Sequence, residues 1–209
     1  MSRGGAPAKI GGVRRLLLAT NNPGKVREFR RLLAGLPFAV VTPHELGIAL
    51  DVVEDGASYA ENAAKKARAF AAAGRCLALA DDSGIEVDAL GGGPGMYSAR
   101  YGGPGLDDAG RLDLLLHELA GVPDGERAAR YRAVVAVAHP DGRVHLSEAT
   151  FEGRIGREKR GERGFGYDPA FVVADGRTAA QLSDDEKDAV SHRGKAVRAA
   201  AEYLRGLPG

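Results

Sequence analysis

Short apolar runs and stretches of helical spacing alternate along this chain. Residues 16–19, 38–41 and 77–80 are apolar runs only a few residues long, as is typical of buried strands. Apolar side chains recur at helical spacing in three other stretches. Their positions are Val26, Phe29, Leu32 and Leu33; Tyr59, Ala63, Ala67 and Phe70; and Leu112, Leu115, Leu116 and Leu119.

Polar residues mark where these helices begin. Asn22 suits the N-cap of the first helix and Pro23 its first position. Ser58 and Ser183 each precede a glutamate with the capping-box spacing. The last predicted helix runs from Ser191 to Leu204, with Val197, Ala200, Ala201 and Leu204 on one side.

The order of the predicted elements indicates the fold class. Residues 131–138 and 143–149 read as paired strands joined by a turn, and residues 170–174 as a further strand. Strand–helix units therefore surround an antiparallel middle section. This order predicts an α/β fold with a mixed sheet.

Asp81 and Asp82 follow the apolar run 77–80 and precede Ser83 and Gly84. We expect the strand to end there in a turn, with residues 85–90 forming a separate strand. Strand ends are where α/β enzymes place catalytic groups. Adjacent like charges need a cation or a shared proton, although a solvated turn would also explain them.

Composition bounds the class of protein. The chain has 209 residues, 44% hydrophobic and 27% charged, with a net charge of +1 and one cysteine, Cys76. These values indicate a globular chain without a disulfide framework and without a general affinity for nucleic acid or membranes. Residues 1–13 are predicted to be a disordered tail and residues 14–209 a single domain. No apolar segment approaches the ~20 residues of a membrane span, so we expect a cytoplasmic protein.

Residues 20–25 form a candidate anion site between the first strand and the first helix. A hydroxyl, a glycine, helix N-terminal amides and a lysine can together hold a phosphate. An ordinary capped helix with a solvated lysine explains the same residues equally well. The six residues are Thr20, Asn21, Asn22, Pro23, Gly24 and Lys25.

Carboxylates provide a candidate cation site. Glu54, Glu61, Asp81 and Asp82 have no His or Cys neighbours, and such oxygen ligands suit Mg²⁺. Glu61 is also explained as a helix-cap residue.

Two further motifs carry groups that could contact a nucleotide. Residues 164–169 place glycines around Phe165, which can stack on a nucleobase. Lys187, with His192 and Arg193, offers donors to acceptor-rich rings or phosphates. A core-covering loop and a surface helix start are the alternative interpretations.

Taken together, the motifs closely resemble those of the inosine triphosphate pyrophosphatase family, also called XTP/dITP diphosphatases. The resemblance extends from Leu16 to Leu204 without departure at any motif position. The motifs that carry it are Thr20-x4-Lys25, Glu54 with Glu61-Asn62-Ala63, Asp81-Asp82-Ser83-Gly84, Pro94-Gly95-x-Tyr97-Ser98-Ala99-Arg100-Tyr101, Gly164-Phe165-Gly166-Tyr167-Asp168-Pro169 and Ser191-His192-Arg193-Gly194.

The resemblance implies two α/β lobes that flank an active-site cleft, usually in a homodimer. It also implies Mg²⁺-dependent hydrolysis of ITP, dITP and XTP to the monophosphate and pyrophosphate, which cleanses the nucleotide pool. By motif, residues 20–25 and Ser83 would contact the phosphates, Glu54 and Asp82 would bind Mg²⁺, and Asp82 would accept a proton from water. The nucleoside pocket would contain Phe165, Gly166, Tyr167, Asp168, Lys187, His192 and Arg193.

Other classes of function make different predictions. A related pyrophosphatase would act on modified pyrimidines, dTTP or UTP, although residues 191–193 argue against it. A nucleotide-binding regulator would have lost hydrolysis, but such proteins commonly lose the carboxylates that are present here. A nucleic-acid-binding module fits the balanced charge least well.

Overall fold

The computed structural model describes residues 9–10 and 13–208. Its strands are β1 Lys9–Ile10, β2 Val13–Leu18, β3 Phe38–Val41, β4 Leu77–Val87, β5 Pro94–Gly95, β6 Ala128–Ala138, β7 Val144–Ile155 and β8 Phe171–Val172. Its α-helices are α1 Pro23–Leu32, α2 Tyr59–Gly74, α3 Asp108–Glu118, α4 Asp184–Val190 and α5 His192–Arg205.

The strands form one mixed sheet in the order β1-β2-β4-β6-β7-β8, with β3 paired to β2 and β5 to β4. β2 is parallel to β3 and β4, whereas β7 and β8 are antiparallel. The predicted α/β fold with a mixed sheet is therefore confirmed. Most of the predicted tail lies outside the described residues, although Lys9–Ile10 pairs with β2; its disorder stays a prediction.

The chain divides into two compact units. Unit 1 combines the described residues of Met1–Asp82 and Ala196–Gly209 with Val134–Ser147, and unit 2 combines Ser83–Ala133 with Glu148–Lys195. Strands β4, β6 and β7 contribute residues to both units.

Unit 1 has its core on strand β2 and helices α1 and α2. Leu16, Leu17 and Leu18 are fully buried, as expected of a parallel strand covered on both faces. Phe29 of α1 and Phe70 of α2 are buried as well. The apolar spacing along both helices therefore identified their core faces correctly.

Unit 2 has its own apolar core. Residues from β4, α3, β6, β7 and β8 form one buried cluster that includes Ile85, Leu115, Phe151 and Phe171. Arg127 is buried beside it and donates to the carbonyls of Ile155 and Gly156 at 2.8 Å each. Across residues 9–10 and 13–208, no helix has both the length and the apolar character needed to cross a membrane.

Candidate active site

The loop 20–25 of unit 1 joins strand β2 to helix α1, and local hydrogen bonds fix its conformation. Thr20 Oγ1 accepts from the Asn22 amide at 3.2 Å, and Asn22 Oδ1 accepts from the Lys25 amide at 3.1 Å. Asn22 is the N-cap and Pro23 the first residue of the helix, so the predicted helix start is confirmed. Asn21 is exposed and Gly24 is buried.

Sheet pairing brings Lys25 to Asp81. In the parallel pair of β2 and β4, Leu18 lies opposite Leu79, and the Ala19 amide donates to the Leu79 carbonyl at 2.7 Å. The loop after β2 and the acidic residues of β4 therefore reach the same sheet position. Lys25 Nζ lies 2.9 Å from Asp81 Oδ1.

Asp81 and Asp82 do not lie in a turn, so that prediction was wrong. Strand β4 runs without a break from Leu77 to Val87, so residues 85–87 of the predicted second strand are its continuation, whereas Asp88–Leu90 form a 3₁₀ helix instead of a strand. Both carboxylates are buried, with 1% and 6% of their surfaces exposed. Burial of adjacent carboxylates requires nearby compensating groups, and residues distant in sequence supply them.

Asn62 is the main polar partner of Asp82. Its Nδ2 donates to Asp82 Oδ2 at 3.0 Å, and its Oδ1 accepts from the Gly56 amide at 2.8 Å. Sequence reasoning assigned Asn62 no function. Its position on helix α2, three residues after the buried Tyr59, was the available signal, because this spacing puts a polar side chain beside the apolar face.

Lys66 connects Glu54 to the buried aspartates. Its Nζ forms an ion pair with Glu54 and donates to the Asp81 carbonyl at 3.1 Å. Burial raises the pKa of Asp82, and the negative charge of Glu54 raises it further, while Asn62, Lys66 and Lys25 oppose the shift. Asp82 is therefore a stronger proton acceptor than an exposed aspartate.

The donor set of Glu54 and Asp82 is suited to Mg²⁺. Within the described ranges, no group of three or more His, Cys, Asp or Glu residues could hold a metal ion. Mg²⁺ commonly uses one or two protein carboxylates and completes its shell with water and substrate phosphates. The two carboxylates of Glu54 and Asp82 fit that pattern.

In unit 2, Asp168 is the centre of the loop 164–168. Its Oδ2 accepts from the Phe165 amide at 2.9 Å and from Lys187 Nζ at 2.7 Å, while Tyr131 Oη donates to Oδ1 at 3.2 Å. Gly164 has a φ of +76°, and a Cβ there would lie 2.1 Å from Asp168 Oδ2. Only glycine allows the carboxylate this position.

Phe165 is half-buried and lies near two cations. Lys187 Nζ lies 5.1 Å and the Arg193 guanidinium 5.5 Å from the centroid of its ring. Both separations are within cation–π range. Aromatic and cationic groups of unit 2 thus converge around Asp168.

Tyr167 and Gly166 anchor the same loop. Tyr167 is buried and its hydroxyl donates to the Ser98 carbonyl at 2.7 Å, and burial raises its pKa. The Gly166 amide donates to Asp108 Oδ2 at 3.2 Å. Both predicted binding residues therefore make contacts that hold the loop in place.

His192 and Arg193 begin helix α5. Arg193 donates to Ser83 Oγ at 3.0 Å, and the His192 ring is stacked on Tyr131 with centroids 4.7 Å apart and 7° between the planes. A Cβ at Gly194 would lie 1.9 Å from the Asp188 carbonyl oxygen, so glycine lets α5 approach α4.

The predicted residues therefore assemble into two groups. Unit 1 brings together Lys25 and Asp81, and Asp82 has electrostatic contact with Lys25 and Glu54. Unit 2 brings together Phe165, Asp168, Lys187 and Arg193, with His192 joined to Asp168 through Tyr131. Asn62, Lys66 and Tyr131 are the members that the sequence did not assign.

Comparison with known proteins gives consistent matches over nearly the whole chain. The model of the Ham1 family matches residues 16–203. A dITP/XTP pyrophosphatase of Desulforamulus reducens is 50% identical over 194 residues, covering 92% of this chain and 96% of that protein. The solved HAM1 protein of Coxiella burnetii is 37% identical with a TM-score of 0.83, covering 92% of this chain and 99% of the other.

A third match is to a solved protein that is named for its activity. The solved nucleoside-triphosphatase / dITP/XTP pyrophosphatase of Mycobacterium abscessus is 41% identical with a TM-score of 0.71. The match covers 89% of this chain and 98% of the other. Sequence and structure comparisons thus agree on one family.

Proposed function

The chain belongs to the Ham1 family, and from this we propose that it hydrolyses the non-standard purine nucleotides ITP, dITP and XTP to the monophosphate and pyrophosphate. Relatives described as dITP/XTP pyrophosphatases support the substrate class. The observation that carries the proposal is the buried Asp82 of unit 1, with Glu54, Lys25 and Lys66 acting on it electrostatically.

In this proposal, unit 1 binds the triphosphate. The Gly24 amide at the N-terminus of helix α1 and the Lys25 ammonium would hold phosphate oxygens, and Ser83 would add a hydroxyl. Glu54 and Asp82 would hold Mg²⁺. The chemistry that bound Mg²⁺ supplies is neutralisation of the triphosphate charge.

Asp82 would act as the proton acceptor for water. As the water oxygen forms a bond to the α-phosphorus, its proton passes to the Asp82 carboxylate and the bond from the α-phosphorus to the bridging oxygen breaks. Pyrophosphate leaves with the electron pair of that bond, and the product is the nucleoside monophosphate. Burial raises the pKa of Asp82 in the protein without bound metal, which makes its carboxylate a stronger proton acceptor than an exposed one.

Unit 2 would bind the base. Phe165 offers an aromatic face, and Lys187 and Arg193 offer donors beside it. Hypoxanthine and xanthine carry a 6-oxo acceptor where adenine carries an amino donor. When adenine is bound, the donor in the buried site has no acceptor, and its desolvation costs more free energy than the loss of one hydrogen bond alone. Adenine nucleotides should therefore be poor substrates.

Product identification tests the proposal. The protein is incubated with ITP, XTP, ATP, GTP, dTTP or UTP and Mg²⁺, and the products are resolved by ³¹P NMR. We expect pyrophosphate and monophosphate from ITP and XTP, and loss of turnover when EDTA removes the metal. Release of orthophosphate, or faster turnover of dTTP or UTP, would contradict the proposal.

We also propose a cytoplasmic homodimer, as the family resemblance suggests. Light scattering coupled to size exclusion should give twice the mass of a single chain at micromolar concentration. A single-chain mass throughout the dilution series would refute the dimer.

A further inference from the structure

Tyr131 of strand β6 makes contact with two members of the proposed base site. Its hydroxyl donates to Asp168 Oδ1 at 3.2 Å, and its ring is stacked on the ring of His192. The side chain is 8% exposed. All three residues belong to unit 2, yet they come from a strand, a loop and a helix that lie far apart in sequence.

The hydroxyl contact limits the orientation of the Asp168 carboxylate. The Phe165 amide and Lys187 both donate to Oδ2, and two donors on one oxygen leave the carboxylate able to rotate about its bond to Cβ. A donor on Oδ1 opposes that rotation. Burial, followed by the charge of Asp168, keeps the pKa of Tyr131 well above its usual value, so the hydroxyl keeps its proton and remains a donor.

The ring contact limits the orientation of His192. The two rings are nearly parallel, with 7° between their planes. Phe171 packs against Tyr131 at 4.7 Å between centroids and an interplanar angle of 51°. Tyr131 is thus held by the core cluster of unit 2 while it supports the imidazole, and tilting His192 would lose this aromatic packing.

We propose that Tyr131 is a positioning residue for the base site, whose hydroxyl orients Asp168 and whose ring orients His192. The proposal rests on the assignment of the base to unit 2. It predicts that the two functions can be separated, because phenylalanine keeps the ring and removes the hydroxyl, whereas leucine removes both.

Steady-state kinetics with ITP give the first test. Tyr131→Phe should raise KM about 10-fold and leave kcat within about threefold, because one bond to a buried charge is lost while the groups that contact the phosphates are unchanged. Tyr131→Leu should lower kcat/KM about 100-fold. Unchanged KM in both folded variants would overturn the proposal.

Tyr101→Phe is the matched control. Tyr101 is also in unit 2, and its hydroxyl donates to the carboxylate of Glu118. This variant also loses a tyrosine–carboxylate bond, so its KM for ITP should stay at the wild-type value. A KM increase equal to that of Tyr131→Phe would show a general effect on the fold of unit 2 and would refute positioning.

Imidazole NMR gives a readout that does not depend on catalysis. The Tyr131 ring should shift the His192 ring protons to high field, with the signals assigned through His192→Gln. Tyr131→Phe should keep this shift, and Tyr131→Leu should lose it. A high-field His192 shift that persists in Tyr131→Leu would contradict the ring contact, whether or not ITP is the substrate. A wild-type protein that shows the expected shifts but does not hydrolyse ITP would refute only the proposed function. Should the leucine variant not fold, the KM of Tyr131→Phe relative to Tyr101→Phe decides the proposal.

Discussion

Replacing Asp82 by Asn removes the proposed proton acceptor while preserving the local hydrogen bond. Asn62 Nδ2 donates to Asp82 Oδ2 at 3.0 Å, and the amide oxygen of an asparagine can accept the same bond. The side chain is almost isosteric and stays in its buried position on strand β4. Loss of activity in this variant therefore reports the carboxylate itself.

The expected loss follows from the assigned role. General-base catalysis by a positioned side chain contributes about 10²- to 10⁴-fold, so turnover of ITP should fall at least about 100-fold, or about 2.7 kcal/mol of barrier. Because Asp82 also contributes to the proposed Mg²⁺ site, the apparent affinity for the metal should fall as well. Binding of ITP should persist, because the other proposed binding residues are unchanged.

The same variant should not lose stability at neutral pH. The pKa of Asp82 is raised above 3.8 in the folded protein, chiefly by burial. The free energy of unfolding therefore decreases as the pH rises from the pKa of Asp82 in the unfolded chain through its higher pKa in the folded protein. At every higher pH, the ionised carboxylate destabilises the native state. The Tm of Asp82→Asn at pH 7 should equal or exceed that of the wild type.

The assay combines single-turnover hydrolysis of ITP at saturating Mg²⁺ with thermal unfolding of separate samples in EDTA, because bound Mg²⁺ would itself stabilise the wild type. Asp141→Asn is the control, since Asp141 belongs to unit 1, has a side chain 55% exposed and pairs with Arg143. Its turnover should equal that of the wild type. Wild-type turnover in Asp82→Asn would refute the proposed base, and a large fall in its Tm would refute the electrostatic reasoning.

Three further predictions concern the remaining charged and strained positions. Gly164→Ala should lower the free energy of unfolding in urea by more than Gly176→Ala. Both glycines have positive φ, but only a Cβ at position 164 would lie against Asp168, 2.1 Å from its Oδ2, so equal decreases in the two variants would contradict the clash. Lys187→Met should lower the free energy of unfolding by about 3–5 kcal/mol, because it removes the ion pair of the buried Asp168 carboxylate. The double variant Lys187→Met with Asp168→Asn should recover part of this loss, and no recovery would argue against the ion pair. Burial, reinforced by the charge of Arg143, lowers the pKa of His139 below 6.5. The protein should therefore lose stability as the pH falls from about 6.5 through the lowered pKa of His139. The Tm difference between wild type and His139→Gln should change over that range, and a constant difference would refute the prediction.

Local sequence signals predicted much of the fold. The cap at Asn22, the β3 run 38–41 and the leucine spacing of helix α3 depend on neighbours within a few residues. The capping box at Ser183 and Glu186 formed as predicted. At the start of helix α2, Ser58 Oγ accepts from the Glu61 amide as predicted, but the Glu61 side chain accepts from the Ala57 amide instead of the Ser58 amide. The capping-box spacing does not distinguish between these two neighbouring amides.

Long-range contacts decided what the sequence could not. A pair of aspartates before Ser-Gly has every local feature of a turn, but contacts with Lys25, Asn62 and Lys66 help to make its burial in strand β4 tolerable. Those partners are remote in sequence. The contact of Tyr131 with Asp168 and His192 likewise depends on strand, loop and helix meeting in unit 2.

The position of isotope from labelled water tests the central claim most directly. Hydrolysis of ITP in H₂¹⁸O is followed by mass spectrometry of both products. If a water activated by Asp82 attacks the α-phosphorus, one ¹⁸O atom will be found in inosine monophosphate and none in pyrophosphate. Label in pyrophosphate would place the attack at the β-phosphorus and contradict the account.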